Sequence, residues 1–208
     1  MSSGQKQYKA IIFDLGKVVF DYSFDNTFNF IAALTGKDFS FVKNNFPLDD
    51  QWELFEKGLK TPQEISSHVS ACIQHEISLT DFEKAWDVLY LDLYSGMEEL
   101  LVELKRNYRV IALTNTNEIH AKVWRKKYAN ALSHFEKILS SHELKMRKPE
   151  KEIYQAAIDF LGMNPQEIIF LDDLPENIKA ANEMGITGIQ VFSFEQMKGE
   201  LKERGVLI

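Results

Sequence analysis

Short apolar runs that end in polar groups alternate with helical periodicity over most of this chain. Tyr8–Phe13 is mostly apolar and gives way to Asp14. Tyr108–Asn115 (YRVIALTN) is apolar, partly β-branched, and ends in Thr114 and Asn115. Glu167–Asp173 (EIIFLDD) runs into two carboxylates, and a weaker segment, EKILSS, surrounds Ile138. Gly185–Phe192 (GITGIQVF) follows a helical stretch predicted to start at Pro175 and stop at Gly185. Apolar strands separated by helices predict a parallel sheet with both faces covered.

Between the first and second of these strands the texture changes. From about Tyr22 to Asn107 the pattern predicts helices, with no strand-like alternation. Thr61, Pro62 and Glu64 spell a capping box with proline at the first helical position. TDFE at Thr80 and SGME at Ser95 repeat the Ser/Thr-x-x-Glu start signal, and Gly36 and Gly58 follow periodic segments as helix stops. This stretch is expected to be a helical cap over residues 21–91, inserted in a core of residues 1–20 and 92–208. No internal repeat, low-complexity tract or Gly/Ser linker interrupts either part.

Length and composition narrow the field. With 208 residues, 45% of them apolar and 26% charged, the chain can bury a full core, as one domain with a substantial insertion or as two small ones. A net charge of −7 argues against non-specific nucleic-acid binding, which needs a basic face. No apolar run approaches the roughly 20 residues that span a bilayer. The polar start MSSGQKQYK lacks the apolar core of a secretory signal, and the single cysteine, Cys72, suits a reducing compartment. A cytoplasmic location is expected, with no membrane, nucleic-acid or protein partner.

The chemistry is expected where the strands end, because ligands of open α/β sheets bind beyond the carboxyl ends of the strands. Three predicted strands end in Asp14, in Thr114–Asn115 and in Asp172–Asp173. Three converging carboxylates need a compensating cation. Oxygen ligands without a convergent His or Cys point to magnesium rather than zinc. Lys148, just before Pro149 at a helix start, would bring a mobile positive charge, and Thr114 and Asn115 neutral donors. Together they describe a site for a metal-bridged dianion, with phosphate the obvious candidate. An aspartate there can attack phosphorus and form an aspartyl-phosphate.

Each residue alone has a plainer meaning. Asp14 could be a strand-end cap, Lys148 a solvated lysine, and Asp172–Asp173 the N-cap of the helix at Pro175. Asp21 reads as a loop or hinge residue; Asn117 either supports the strand-end groups or simply makes a turn. His68, His75, His120, His134 and His142 have no metal-ligand spacing. Trp52 with Phe55, and Trp86 with Tyr90, are helix-spaced aromatics that suit core packing, or closure of one pair over a sugar. Cys72 reads as core, and KVWRKKY (Lys122–Tyr128) as a solvated helix face.

Taken in order, IIFDLGKVV, ALTNTN, MRKPE and FLDDLPENI resemble the four motifs of the haloacid dehalogenase superfamily, along the whole chain. The nearest likeness is to a bacterial branch that includes phosphatases of α-D-glucose 1-phosphate. The resemblance implies a Rossmann-like α/β core with helices on both faces and a helical cap inserted after the first strand. It implies Asp14 as nucleophile and magnesium ligand, and Gly16 as a metal ligand through its carbonyl within the phosphate site. Thr114, Asn115 and Lys148 would hold phosphate, Lys148 also neutralising the nucleophile. Asp173 would ligate the metal directly, with Asp172 bound through water or orienting Lys148. The implied activity is magnesium-dependent hydrolysis of a small phosphomonoester, such as a sugar 1-phosphate. A 2-haloacid dehalogenase and a non-catalytic binding protein on the same core are the alternatives.

One position departs from the family. Most phosphatases of the superfamily carry a second aspartate where this chain has Gly16, as the acid that protonates the leaving oxygen. Such help is typically worth about 10²–10⁴-fold. Either the leaving group departs with little acid help, as an anomeric oxygen can, or a cap residue or water substitutes.

Overall fold

The computed structural model describes residues 8–208; the polar start expected not to be a secretory signal lies largely outside them. Strand β1 (Ala10–Phe13) leads into β2 (Phe20–Tyr22). Five helices follow: α1 (Phe24–Thr35), α2 (Phe39–Asn45), α3 (Asp50–Glu56), α4 (Pro62–Ile73) and α5 (Leu79–Asp87). The chain returns through β3 (Tyr90–Leu93) to α6 (Met97–Leu104) and β4 (Arg109–Thr114). Helices α7 (Glu118–Lys127) and α8 (Ala129–Leu132) precede β5 (Lys137–Ser140), α9 (Ser141–Leu144) and α10 (Lys151–Leu161). Strand β6 (Ile168–Asp172), α11 (Pro175–Glu183), β7 (Thr187–Gln190) and α12 (Phe194–Glu203) complete the order.

Five strands pair in parallel in the order β5-β4-β1-β6-β7. The chain builds outward from β1 to β4 and β5, then crosses back to lay β6 and β7 on the other side. The strand order therefore reverses beside β1, the place where such sheets bind ligands. Phe13 aligns with Ala112 of β4 and with Leu171 of β6, so Asp14 emerges level with Leu113 and Asp172.

Strand alternation assigns side chains to two faces. Ile11 and Phe13, with Val110, Ala112, Ile169 and Leu171, pack on one side with Met97, Leu101 and Leu104 of α6 and Met197 and Leu201 of α12. Ala10 and Ile12, with Ile111, Leu113, Ile168 and Phe170, pack on the other with Ile153, Tyr154 and Ala157 of α10 and Ala180 and Ala181 of α11. Both faces are dry, which is why these strands read as nearly continuous apolar runs. The fold is α/β with helices on both faces of a parallel sheet.

The apolar cluster on the first face runs on into α1–α5. Trp86 is its hub, with Phe46, Phe82 and Trp52 ring centroids 5.9, 5.5 and 5.4 Å away. Trp52 and Phe55 are thus core residues. Cys72 is only half-buried. The Thr61 capping box forms as the sequence predicts, and Gly36 closes α1 at φ 67°.

Two expectations fail locally. The stretch from Tyr22 to Asn107 is not purely helical: β2 and β3 pair antiparallel, Phe20 opposite Leu93 and Tyr22 opposite Tyr90. Strands of three and four residues are too short to show a period-2 pattern, and the boundaries at residues 21 and 91 cut through both. The starts of α5 and α6 also differ. Ser78, not Thr80, caps α5 by accepting from the Asp81 N–H, and Gly96 at φ 82°, not Ser95, stands before α6. No described helix is long and apolar enough to cross a membrane.

His120, in the first turn of α7, packs its imidazole 4.4 Å from the Trp86 ring, and its Nε2 has no hydrogen-bond partner among the described residues. Burial holds the ring neutral, its pKa pushed down to about 3. Its ordinary value is 6.5. Between these values the unfolded chain binds a proton that the folded chain refuses. Stability from this group is therefore complete above about pH 6.5 and is lost as pH falls toward 3, by at most about 1.4 kcal/mol per unit. Urea unfolding of the wild type and of His120→Gln between pH 7 and pH 5 checks this. The variant should lose distinctly less stability on acidification, whereas parallel declines would show that His120 takes up its proton in the folded state.

Candidate active site

Asp14 is placed by the sheet itself, its N–H donating 2.8 Å to the Leu171 carbonyl beside the end of β1. A buried charge follows. Lys148 is 2% exposed, and its Nζ lies 2.8 Å from Asp14 Oδ1 and 2.6 Å from Asp172 Oδ2. An ammonium and two carboxylates out of water are tolerable only when paired and hydrogen-bonded. Lys148 is fixed at both ends, because its backbone N–H donates to Asn115 Oδ1 at 2.8 Å and its carbonyl accepts from Asn115 Nδ2 at 2.9 Å. It is not the mobile charge expected from the sequence. The side-chain amide of Asn115 is likewise taken up in holding the Lys148 backbone.

Asp172, the last residue of β6, has no exposure at all. Besides Lys148, its oxygens accept from Asn177 Nδ2 at 2.9 and 3.1 Å and from the Leu174 N–H at 2.9 Å. Asp173 is half-buried and lines the same cavity as Asp14, with no side-chain partner of this kind among the described residues. One carboxylate oxygen each from Asp14, Asp172 and Asp173 lie within 4.8 Å of one another.

Charge is unbalanced in this cluster. Burial pushes the Asp14 carboxyl up, to about 7, and the Lys148 ammonium only partly offsets it while Asp172 adds to it. Burial works against the Lys148 charge as well, but Asp14 and Asp172 outweigh it and hold its pKa up. Asp173 is raised by burial and by Asp172. Three carboxylates facing one ammonium, with only oxygen donors in the set, fit a hard divalent cation.

Gly16 lines the cavity, and its lack of a side chain has a steric cause. A Cβ built on Gly16 would fall 2.6 Å from Tyr22 Cε1 and 3.2 Å from Tyr22 Cδ1. The Tyr22 ring thus occupies the space beside Gly16, and an aspartate at position 16 would not fit without displacing it. Burial, then the nearby charges of Asp14 and Asp173, hold the proton firmly on the Tyr22 hydroxyl. Asp21, next to it on β2, pairs with Lys17 Nζ at 2.5 Å.

The cavity measures about 160 Å³. Asp14, Asp173, Lys148 and Thr114 line it, together with the aromatic residues Phe20, Tyr22, Phe24, Tyr90 and Trp124. Glu56 and Arg147 add a charged pair, with Arg147 Nη2 3.1 Å from Glu56 Oε2 and Nη1 2.7 Å from Glu53. Burial raises the Glu56 carboxyl and Arg147 opposes it. These contacts tie α3 to the segment that carries Lys148. Asn117 caps α7 by accepting from the His120 N–H at 3.0 Å, and Trp124 Nε1 donates to Thr116 at 3.1 Å. Lys122 and Arg125–Lys127 are solvated, whereas Trp124 and Tyr128 from the same run are buried.

The structure gathers Asp14, Gly16, Thr114, Asn115, Lys148 and Asp173 around one cavity, with Asp172 behind Lys148. Sequence reasoning did not single out Tyr22, Glu56 or Arg147, and took His120 only as a poor metal ligand. Arg147 adjoins Lys148 in MRKPE and could have been noticed there. The others stand alone, in no motif.

Comparison with known proteins agrees with this fold. A family model described as haloacid dehalogenase-like hydrolase matches residues 8–185. A sesquiterpene phosphatase of Aspergillus oryzae is 30% identical, covering 88% of this chain and 90% of its own. A D-ribitol-5-phosphate phosphatase of Bacteroides thetaiotaomicron is 23% identical, over 88% of this chain and 91% of its own. A HAD-family enzyme of that organism, solved with magnesium and inorganic phosphate, superposes with a TM-score of 0.78. It is 29% identical, over 91% of this chain and 98% of its own. The match to mouse bifunctional epoxide hydrolase 2 covers 34% of this chain and only 13% of that protein. The chain belongs to the haloacid dehalogenase-like hydrolases.

Proposed function

We propose that this protein is a magnesium-dependent phosphatase that hydrolyses a small phosphomonoester through an aspartyl-phosphate on Asp14. The observation that carries it is the buried Lys148 ammonium held between Asp14 and Asp172, with Asp173 in the same cavity. Asp14 would attack phosphorus with one oxygen while Lys148 fixes its orientation and faces the dianion. Thr114 offers its hydroxyl, and Asn115 its backbone N–H, to the phosphate oxygens, since the Asn115 side chain is engaged with Lys148.

Asp14, Asp173 and the Gly16 carbonyl would hold magnesium. Asp172 is saturated by Lys148, Asn177 and Leu174, which supports the role of orienting Lys148. When bound, the ion supplies charge neutralisation for the phosphoryl oxygens. The named activities of the two curated phosphatases and the magnesium–phosphate complex of the Bacteroides enzyme support the same reaction class.

A sugar phosphate, such as a sugar 1-phosphate, is the substrate class we favour. A cavity of about 160 Å³ is below the roughly 300–1,000 Å³ of drug-sized pockets, and its aromatic wall suits the apolar face of a small polyol or ring. Dehalogenation has less support, because displacing halide from carbon gives Asp173 no metal to hold. Retention of Asp14, Lys148, Asp172 and Asp173 counts against a purely binding role.

Two substitutions test the roles. Asp14→Asn keeps the shape but cannot attack phosphorus, so hydrolysis of p-nitrophenyl phosphate should fall to background in a folded protein. Substantial residual turnover would remove Asp14 from the reaction. Asp173→Ala removes one oxygen ligand and should weaken magnesium binding about tenfold or more in calorimetric titration. Unchanged affinity would place the ion elsewhere or show that none binds.

A further inference from the structure

The ring that excludes a side chain at position 16 also carries a hydroxyl. Tyr22 Cε1 is the atom nearest the missing Cβ, and Cζ, which bears the oxygen, lies 3.8 Å from it. The phenol therefore stands beside the residue two places after Asp14, where a carboxyl at position 16 would have to reach. It lines the cavity with Asp14, Lys148 and Asp173. Tyr22 is not loosely placed: it pairs with Tyr90 across the two-stranded ribbon, and its N–H donates to Asp21 Oδ1 at 2.8 Å. Phe24 packs edge-on to it at 5.8 Å.

We propose that the Tyr22 hydroxyl hydrogen-bonds the departing oxygen of the substrate, doing from β2 what no side chain at Gly16 can do. This rests on the phosphatase reading of the site and names the group that assists it. As the Asp14–phosphorus bond forms, the phosphorus–oxygen bond to the leaving group breaks and its electron pair stays on the leaving oxygen. Tyr22 donates a hydrogen bond to that developing charge and keeps its proton; water supplies the proton of the product alcohol. A donor already fixed where charge develops stabilises the transition state without reorganisation. Other cationic donors close by are committed elsewhere: Lys17 Nζ is paired with Asp21, Arg147 with Glu53 and Glu56, and Lys148 with Asp14 and Asp172.

Tyr22→Phe keeps the ring against Gly16 and removes only the hydroxyl. The test compares kcat/KM of wild type and variant, with magnesium, on p-nitrophenyl phosphate, phenyl phosphate and glycerol phosphate. The loss in the variant should be smallest for p-nitrophenyl phosphate and grow with leaving-group basicity, reaching about tenfold or more beyond it for glycerol phosphate. A merely structural role would lower all three equally, and that result, or no loss, would overturn the assignment of Tyr22. The phosphatase reading fails separately, if the wild type hydrolyses none of the three, and the assignment falls with it.

Discussion

A lysine ammonium shut away from water between two carboxylates is the constraint that organises the rest of this structure. Lys148 is buried only because Asp14 and Asp172 both face its ammonium, and that ammonium lowers the cost of burying the Asp14 carboxylate. Each of the three comes from a different part of the chain: the end of β1, the segment before α10 and the end of β6. Bringing them together requires the parallel register that sets Asp14 level with Asp172, and the Asn115 amide that clamps the Lys148 backbone. The fold positions the ammonium, and the ammonium gives the Asp14 carboxylate a defined direction.

The same arrangement leaves a surplus of negative charge. One ammonium faces Asp14, Asp172 and Asp173, and burial raises the Asp14 carboxyl more than Lys148 lowers it. The helices between β2 and β3 close over this centre through Arg147, which joins Glu53 and Glu56 of α3 to the residue beside Lys148. Movement of α3 against the sheet would therefore be felt next to Lys148 and Asp14.

Much of this was legible in the sequence because it rests on strong local signals. Strands that end abruptly in Asp14, Thr114–Asn115 and Asp172–Asp173 betray themselves by the change from apolar to charged, and the parallel sheet follows from their alternation with helices. Contacts between single residues leave no such trace. Nothing in the spacing of Gly16 and Tyr22 says that one ring fills the space of the other's missing side chain. Strands as short as β2 and β3 carry too few residues for a readable period. Lys148 looked mobile because a lone lysine before a proline gives no sign of the amide that pins it. Asn115 borders the cavity, but its side chain holds the lysine backbone.

Hydrolysis through this site requires a covalent step at Asp14. The most direct measurement is to quench a turning-over mixture in acid, reduce any acyl-phosphate with borohydride and map the modified residue by peptide mass spectrometry. The account predicts that the reduced side chain appears at Asp14 and only when substrate and magnesium are both present. Steady turnover with Asp14 unmodified, or modification at another carboxylate, would contradict it.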